Sequence, residues 1–346
     1  MIVRVCAFTE RGEKLAERVA ALLPDDLVEI RGRAVPLAEW TRESFELAAP
    51  SVFIGACGIA VRAIAPLLRD KLADPPVMVI DEAARFVIPL TSGHYGGGIE
   101  LAARLARALG AESVVTTATD VNGLFAVDVF AKKNALHICN REGIAAVSAK
   151  VLAGERITVS VDPRVGLADR NAPDCVTLVP FPPASGAKVD VAITPEPERV
   201  GSAALLLAPK EYAVGVGCKR GKSAAELDAA ADAARLTDCA PRFWDRVCAL
   251  ATVDVKKKER GLLAFAQRRG LPLDVYSAAE LNAVPGAFSG SEFVRETVGA
   301  DCVCERAAAL RAGGGYELVL RKTAVDGVTF AVAKRTDGME ITTWET

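Results

Sequence analysis

Short apolar runs alternate with amphipathic helical stretches through the first 120 residues, and this alternation limits the fold more than any other feature. Residues 2–8 form an apolar, partly β-branched run, and Thr9 stands where a helix cap is expected. Leu15, Ala16, Val19 and Leu22 then share one helical face, and Pro24 ends it. Residues 52–54, 77–80, 86–90 and 114–117 read as further strands, with helices over 59–68 and 101–109 between or after them. Strands alternating with helices predict a doubly wound, mostly parallel sheet. Such sheets bind ligands at the carboxyl ends of their strands, where the glycine loops are expected to lie.

Residues 122–150 read as mainly helical and 157–161 as a strand. A looser stretch rich in proline follows, with Pro180, Pro182 and Pro183, and ends near Pro197. It is read either as a small inserted domain or as an elaborate linker. An α/β pattern restarts at 214–216, with strands over 248–253 and 273–276 and a helix over 259–269. Residues 302–304 are read as a strand leading into a helix over 305–311, and residues 317–322 and 327–333 as a terminal hairpin. The expected fold class is therefore α/β: an N-terminal α/β domain over 1–130, a small middle region or linker over 131–208, and a separate C-terminal α/β domain over 209–336.

Composition narrows the functions. The formal net charge is −2, so there is no overall basic field for a nucleic-acid backbone. An anionic partner would have to be held by local cations or backbone amides. The nine cysteines are odd in number and lack paired zinc spacing. Cys302 and Cys304, read on one strand, give poor geometry for a single metal ion. No metal site is expected. Reduced thiols and the absence of a leader-like or membrane-spanning stretch predict a cytoplasmic protein without membrane contact.

Five loops carry polar or glycine-rich chemistry. Gly55, Gly58 and Arg62 frame a strand-to-helix turn, equally readable as an anion site or as a tight connection. Ser92, Gly93, His94, Gly96 and Gly97 form a second such turn, and His94 is one of two histidines. An imidazole beside a helix N-terminus can shuttle a proton near neutral pH. The other, His137, lies between Leu136 and Ile138 and reads as structural. Thr117 and Asp120 offer a hydroxyl and a carboxylate after a strand, a pattern that ordinary capping also produces. Lys219, Arg220, Lys222 and Ser223 close a Gly-Lys-Ser string, but three residues separate Gly217 from Gly221 where a nucleotide-binding P-loop needs four. Cations and glycine amides ahead of a helix still suit an anion. Lys256 and Glu259, three apart, share a helix face and can pair. Ser291, Glu305 and Lys322 stand at element ends.

Together these strings resemble the cobalt-precorrin-5A hydrolase family of CbiG type. Its N-terminal pattern is resembled by Gly58-Ile59-Ala60-Val61-Arg62, by Ser92-Gly93-His94 with Gly96-Gly97, and by Thr116-Thr117-Ala118-Thr119-Asp120. Its C-terminal pattern is resembled by Gly215-Val216-Gly217-Cys218, by Lys256 with Glu259-Arg260-Gly261, and by Val303-Cys304-Glu305. The chain departs from that pattern at Gly98-Ile99, where Ala-Asn is usual. The resemblance implies opening of the δ-lactone of cobalt-precorrin-5A with release of acetaldehyde, in anaerobic cobalamin biosynthesis. It implies a tetrapyrrole substrate that carries its own cobalt, no resident cofactor, and other cobalamin-pathway enzymes as the only protein partners to expect. The catalytic residues expected on this basis are His94, Glu259 and Glu305. Gly58, Arg62, Ser92, Gly93, Gly96, Gly97, Thr117, Asp120, Lys219, Arg220, Lys222, Ser223, Lys256 and Ser291 are the expected substrate contacts. The competing reading is a carrier or chaperone for the same tetrapyrrole, without catalysis.

Overall fold

The computed structural model describes residues 1–70, 72–183, 188–201 and 203–345, apart from the side chains of Asp120 and Phe293. The chain builds three α/β units, each around its own sheet.

The first unit runs β1(Ile2–Ala7), α1(Glu10–Ala21), β2(Leu27–Ile30), α2(Leu37–Glu46), β3(Ser51–Ile54), α3(Cys57–Ile64), β4(Val77–Ile80), β5(Phe86–Thr91), α4(Gly98–Leu109) and β6(Glu112–Ser113). Its strand order is β2-β1-β3-β4-β5-β6. Every residue of β1, β3 and β4 is buried, as expected of central strands covered on both faces. Thr9 caps α1 by accepting from the Gly12 N–H at 3.1 Å, and Leu15, Ala16 and Val19 face the sheet. Strand β5 departs from the parallel pattern. It runs antiparallel to β4 and sets Thr91 beside Val77 at the foot of the sheet. The glycine turn after β5 therefore lies at the opposite end from Gly55 and Gly58. The strand expected at 114–117 is shorter and earlier: pairing covers Glu112 and Ser113, and a last bond joins the Val114 N–H to the Val87 carbonyl.

The middle unit holds α5(Ala118–Val121), α6(Val127–Lys133), β7(Leu136–Ile138), α7(Glu142–Leu152), β8(Ile157–Val161), β9(Val165–Leu167), β10(Val176–Val179), β11(Val189–Ile193) and β12(Ala203–Pro209). Residues 122–150, expected as mainly helical, thus contain a strand between two helices. The sheet order is β10-β8-β11-β12-β7, parallel except for β7 at one edge. Of the two readings of this region, the structure shows a sheet domain with its own core, centred on Phe130, Leu136, Val159, Ile193 and Leu207.

The third unit runs β13(Tyr212–Cys218), α8(Ala224–Ala233), β14(Val247–Val253), α9(Arg260–Arg268), β15(Leu273–Tyr276), α10(Ala278–Ala283), α11(Glu292–Val298), α12(Val303–Ala312), β16(Tyr316–Val325) and β17(Val328–Arg335). The sheet order is β15-β14-β13-β17-β16, with the last two strands forming the expected hairpin. Residues 302–304 are the exception: Cys302 is the N-cap of α12 and not part of a strand. At this position the Cys302 Sγ lies 3.8 Å from Glu305 Oε2. Gly215 lets α12 lie against β13, since a Cβ there would overlap the Cys304 carbonyl oxygen. A last strand, β18(Met339–Ile341), leaves this unit and pairs with β9 of the middle domain.

The domains meet at the foot of the first sheet. Ile2 exchanges both backbone groups with the Gln267 amide, and Arg260 of α9 reaches Glu29 and Glu43. No helix of the described residues is long and apolar enough to cross a membrane.

Candidate functional site

The turn after β5 is held from within. Ser92 adopts φ +53°, an uncommon conformation for a residue with a side chain, and its Oγ donates to the Asp74 carbonyl at 2.6 Å. The N–H groups of Gly97, Gly98 and Ile99 donate to the carbonyls of His94, Ser92 and Gly93. Those amides serve the turn itself and are not left pointing at an anion. At Gly96 a Cβ would lie 2.6 Å from the Ser92 Cβ, so the close winding requires glycine there.

This winding delivers His94 to the middle domain. Its Nδ1 lies 3.5 Å from Asp128 Oδ2 in the first turn of α6, and both side chains are largely buried. Burial alone would raise the Asp128 pKa. The hydrogen bond and positive charge of His94, with the Val129 N–H, outweigh it and hold the carboxyl below its ordinary value. A carboxylate at Nδ1 favours the tautomer in which Nε2 is basic. Lys132, one helical turn beyond Asp128, lies over Gly97 and 3.6 Å from Glu100. The sequence reading missed Asp128 and Lys132. Their i, i+4 spacing marks one helix face, but nothing local indicates that the face meets a loop thirty residues earlier.

The remaining candidates form separate groups. Gly58 and Arg62 sit together at the far end of the first sheet, with the guanidinium folded 3.6 Å from where a Gly58 Cβ would be. Thr117 is exposed, and Asp120 belongs to α5 with its side chain outside the described residues. In the third domain Glu259 accepts from the Gly221 N–H at 2.9 Å and pairs with Lys256 at 3.2 Å. The 219–223 loop and the Lys256–Glu259 pair are thus one cluster, with Lys219 and Arg220 exposed at its rim. Lys222 is turned to Glu226, and Ser223 caps α8 in a reciprocal capping box with Glu226. Ser291 is the N-cap position of α11 and makes no side-chain cap bond.

Glu305 is wholly buried. Its carboxylate accepts from the Ser289 N–H at 2.6 Å, the Ser289 hydroxyl at 2.9 Å and the Lys322 N–H at 2.8 Å. Burial would raise its pKa, and these donors bring it below the usual value. So placed, the carboxylate ties three elements together and presents no surface to a water molecule.

A cavity of about 1350 Å³ opens between the middle and third domains. None of the residues singled out above is among its lining residues. His137 is, on the edge strand β7, with Nε2 3.4 Å from Arg242 Nη2 and 3.6 Å from Asp245 Oδ2. Burial, the largest cause, lowers the His137 pKa. Asp245 opposes that, while Lys210, Arg242 and Arg141 add to it. Tyr95, next to His94, packs on the middle-domain core with its phenol in electrostatic range of Arg141 and Asp245. Tyr95 thus joins the glycine turn to the domain that forms one wall of the cavity. Among the described residues no group of three or more His, Cys, Asp or Glu side chains could hold a metal ion.

Two family models match the chain. The family described as "Cobalamin synthesis G N-terminal" matches residues 39–120, and "Cobalamin synthesis G C-terminus" matches residues 212–333. A Salmonella typhimurium protein named cobalt-precorrin-5A hydrolase is 32% identical over 348 residues, covering 95% of this chain and 97% of its own. A Priestia megaterium protein of the same name is 35% identical over 295 residues, covering 82% of this chain and 77% of its own. Among solved structures, CobE, a protein from the cobalamin biosynthetic pathway, is 33% identical over 36% of this chain and 91% of its own, with a TM-score of 0.33. The chain belongs to the cobalamin synthesis G family.

Proposed function

We propose that this protein hydrolyses cobalt-precorrin-5A to cobalt-precorrin-5B and acetaldehyde. The observation that carries the reading is the pairing of His94 with Asp128 at 3.5 Å across a domain junction. Relatives named for this hydrolase, matching most of the chain at 32% and 35% identity, support it. In the proposed reaction His94 takes a proton from water as it adds to the lactone carbonyl. The ring C–O bond then breaks. The freed hydroxyl gives up its proton, the bond to the macrocycle breaks with its electron pair passing to the macrocycle, and acetaldehyde leaves. Asp128 steadies the imidazolium, and Lys132 supplies positive charge beside the same loop. Cobalt arrives with the substrate, and no resident cofactor is invoked. The test is to mix the protein with cobalt-precorrin-5A and assay acetaldehyde. Equimolar release with lactone opening is expected. A tightly bound but unchanged macrocycle would instead establish the carrier reading.

A further inference from the structure

We infer that the cleft between the middle and third domains is the binding site for the macrocycle: a flat, apolar ring on its floor and peripheral carboxylates at its rim. This rests on the reading that the protein acts on a cobalt tetrapyrrole, and it goes further by locating the ring away from every residue the motifs had suggested.

Size is the first argument. Sites for small ligands commonly measure roughly 300–1,000 Å³. At about 1350 Å³ the cleft is larger than a drug-sized or nucleotide-sized ligand needs.

The distribution of chemistry is the second. Val165, Leu206, Ala208, Pro241 and Met339 give the cleft apolar walls. Arginines stand around them, each fixed on one side by a carboxylate. Arg164 holds Asp162 through Nε and Nη2 at 3.1 and 2.7 Å, and Arg242 holds Asp245 through Nε at 2.8 Å. Arg246 holds Glu211. A guanidinium has five N–H donors in a rigid fork, and these bonds use only part of each fork. Arg164 and Arg242 are more than half exposed, so donors remain for carboxylates brought by a ligand. Exchanging the exposed Arg242–Asp245 pair for a ligand pair also costs little, because such pairs are worth up to about 1 kcal/mol. Apolar walls with arginines at the edge fit a ring that is greasy on its faces and acidic at its margin.

Position is the third. The cleft residue His137 lies between Leu136 and Ile138 of the core on which Tyr95, the neighbour of His94, packs.

The test is a binding titration on the full chain, followed by visible absorbance, with cobyrinic acid as the carboxylate-bearing cobalt corrin probe. Cobinamide, with amides at the margin, is the control. The double variant Arg164→Ala/Arg242→Ala should raise the cobyrinic acid Kd at least tenfold and change that of cobinamide less than twofold. Leu206→Trp, which narrows the floor, should weaken both probes. His94→Ala should bind cobyrinic acid as the wild type does. Melting curves matching the wild type confirm that the variants are folded. Wild-type affinity for cobyrinic acid in both the arginine and Leu206 variants overturns the assignment. If the cleft variants lose binding while the wild type releases no acetaldehyde from cobalt-precorrin-5A, the cleft stands and the hydrolase reading falls.

Discussion

At the residue scale, both histidines face a carboxylate: His94 lies 3.5 Å from Asp128 and His137 lies 3.6 Å from Asp245. His94 sits in a turn whose amides are already used, so its value comes from Asp128 rather than from an anion cradle. His94→Ala should lower turnover by about 10²–10⁴-fold, the range of a general base, with substrate affinity retained. Undiminished turnover would remove it from the chemistry. Asp162 shows how the cleft wall is fixed. The Arg164 guanidinium, with the Arg164 N–H and the Thr194 hydroxyl, outweighs burial and brings its pKa from 3.8 to about 2. A depressed carboxyl stabilises the fold above its unfolded pKa and loses that contribution as pH falls through the folded one. Asp162→Asn should therefore cost about 2 kcal/mol at neutral pH. That difference from the wild type should close between pH 4 and pH 2, as read by urea unfolding along a pH series. A gap that persisted at pH 2 would mean that Asp162 acts through shape and not charge. Glu305 makes the opposite case to a catalytic carboxylate. Glu305→Ala leaves the part-buried Ser289 and Lys322 donors without their acceptor and should cost about 1–3 kcal/mol. A variant with the wild-type melting temperature but no activity would restore Glu305 to the chemistry.

At the element scale, legibility followed periodicity. Strands β1, β3 and β4 and helix α1 were evident because continuous apolar runs and a one-faced helix have different repeats. Helix α12 was misread at its start for a physical reason. Val303, Cys304, Ala307, Ala308, Ala309 and Ala312 are all buried, so the helix is apolar on more than one face and its period is hidden. The direction of β5 was not legible either, since a strand's pattern is the same both ways. That ambiguity put the His94 turn at the wrong end of the sheet. The partner of His94 lies in another domain, and no local pattern could supply it. Gly215, read as part of the 214–216 strand, proves to be a packing contact between β13 and α12. Gly215→Ala should cost about 3 kcal/mol, because backbone meets backbone there and no side chain can give way. An alanine variant that melts like the wild type would show that α12 can move off the strand without penalty.

At the scale of the whole molecule, each domain touches the other two, and the sites lie on those junctions. His94 meets Asp128 between the first and middle domains, His137 meets Asp245 between the middle and third, and Arg260 meets Glu29 between the third and first. The C-terminal segment adds a further tie. After β17 it returns to the middle domain, where β18 pairs with β9 and Trp344 stacks on Phe130 at 4.9 Å, with Phe125 at 6.3 Å. Its indole N–H donates to the Asp169 carbonyl at 2.9 Å. Phe130 and Asp128 belong to the same short helix, so the tail supports the helix that carries the partner of His94. Trp344→Ala should cost about 3–5 kcal/mol, the usual range for emptying a buried aromatic site. The loss should be local: hydrogen exchange should quicken in α6, β7 and β9 and stay slow in β13 and β14. Acetaldehyde release should fall as well, although Trp344 touches neither His94 nor the cleft. Unchanged protection in α6 would show that the tail rests on the middle domain without supporting the histidine.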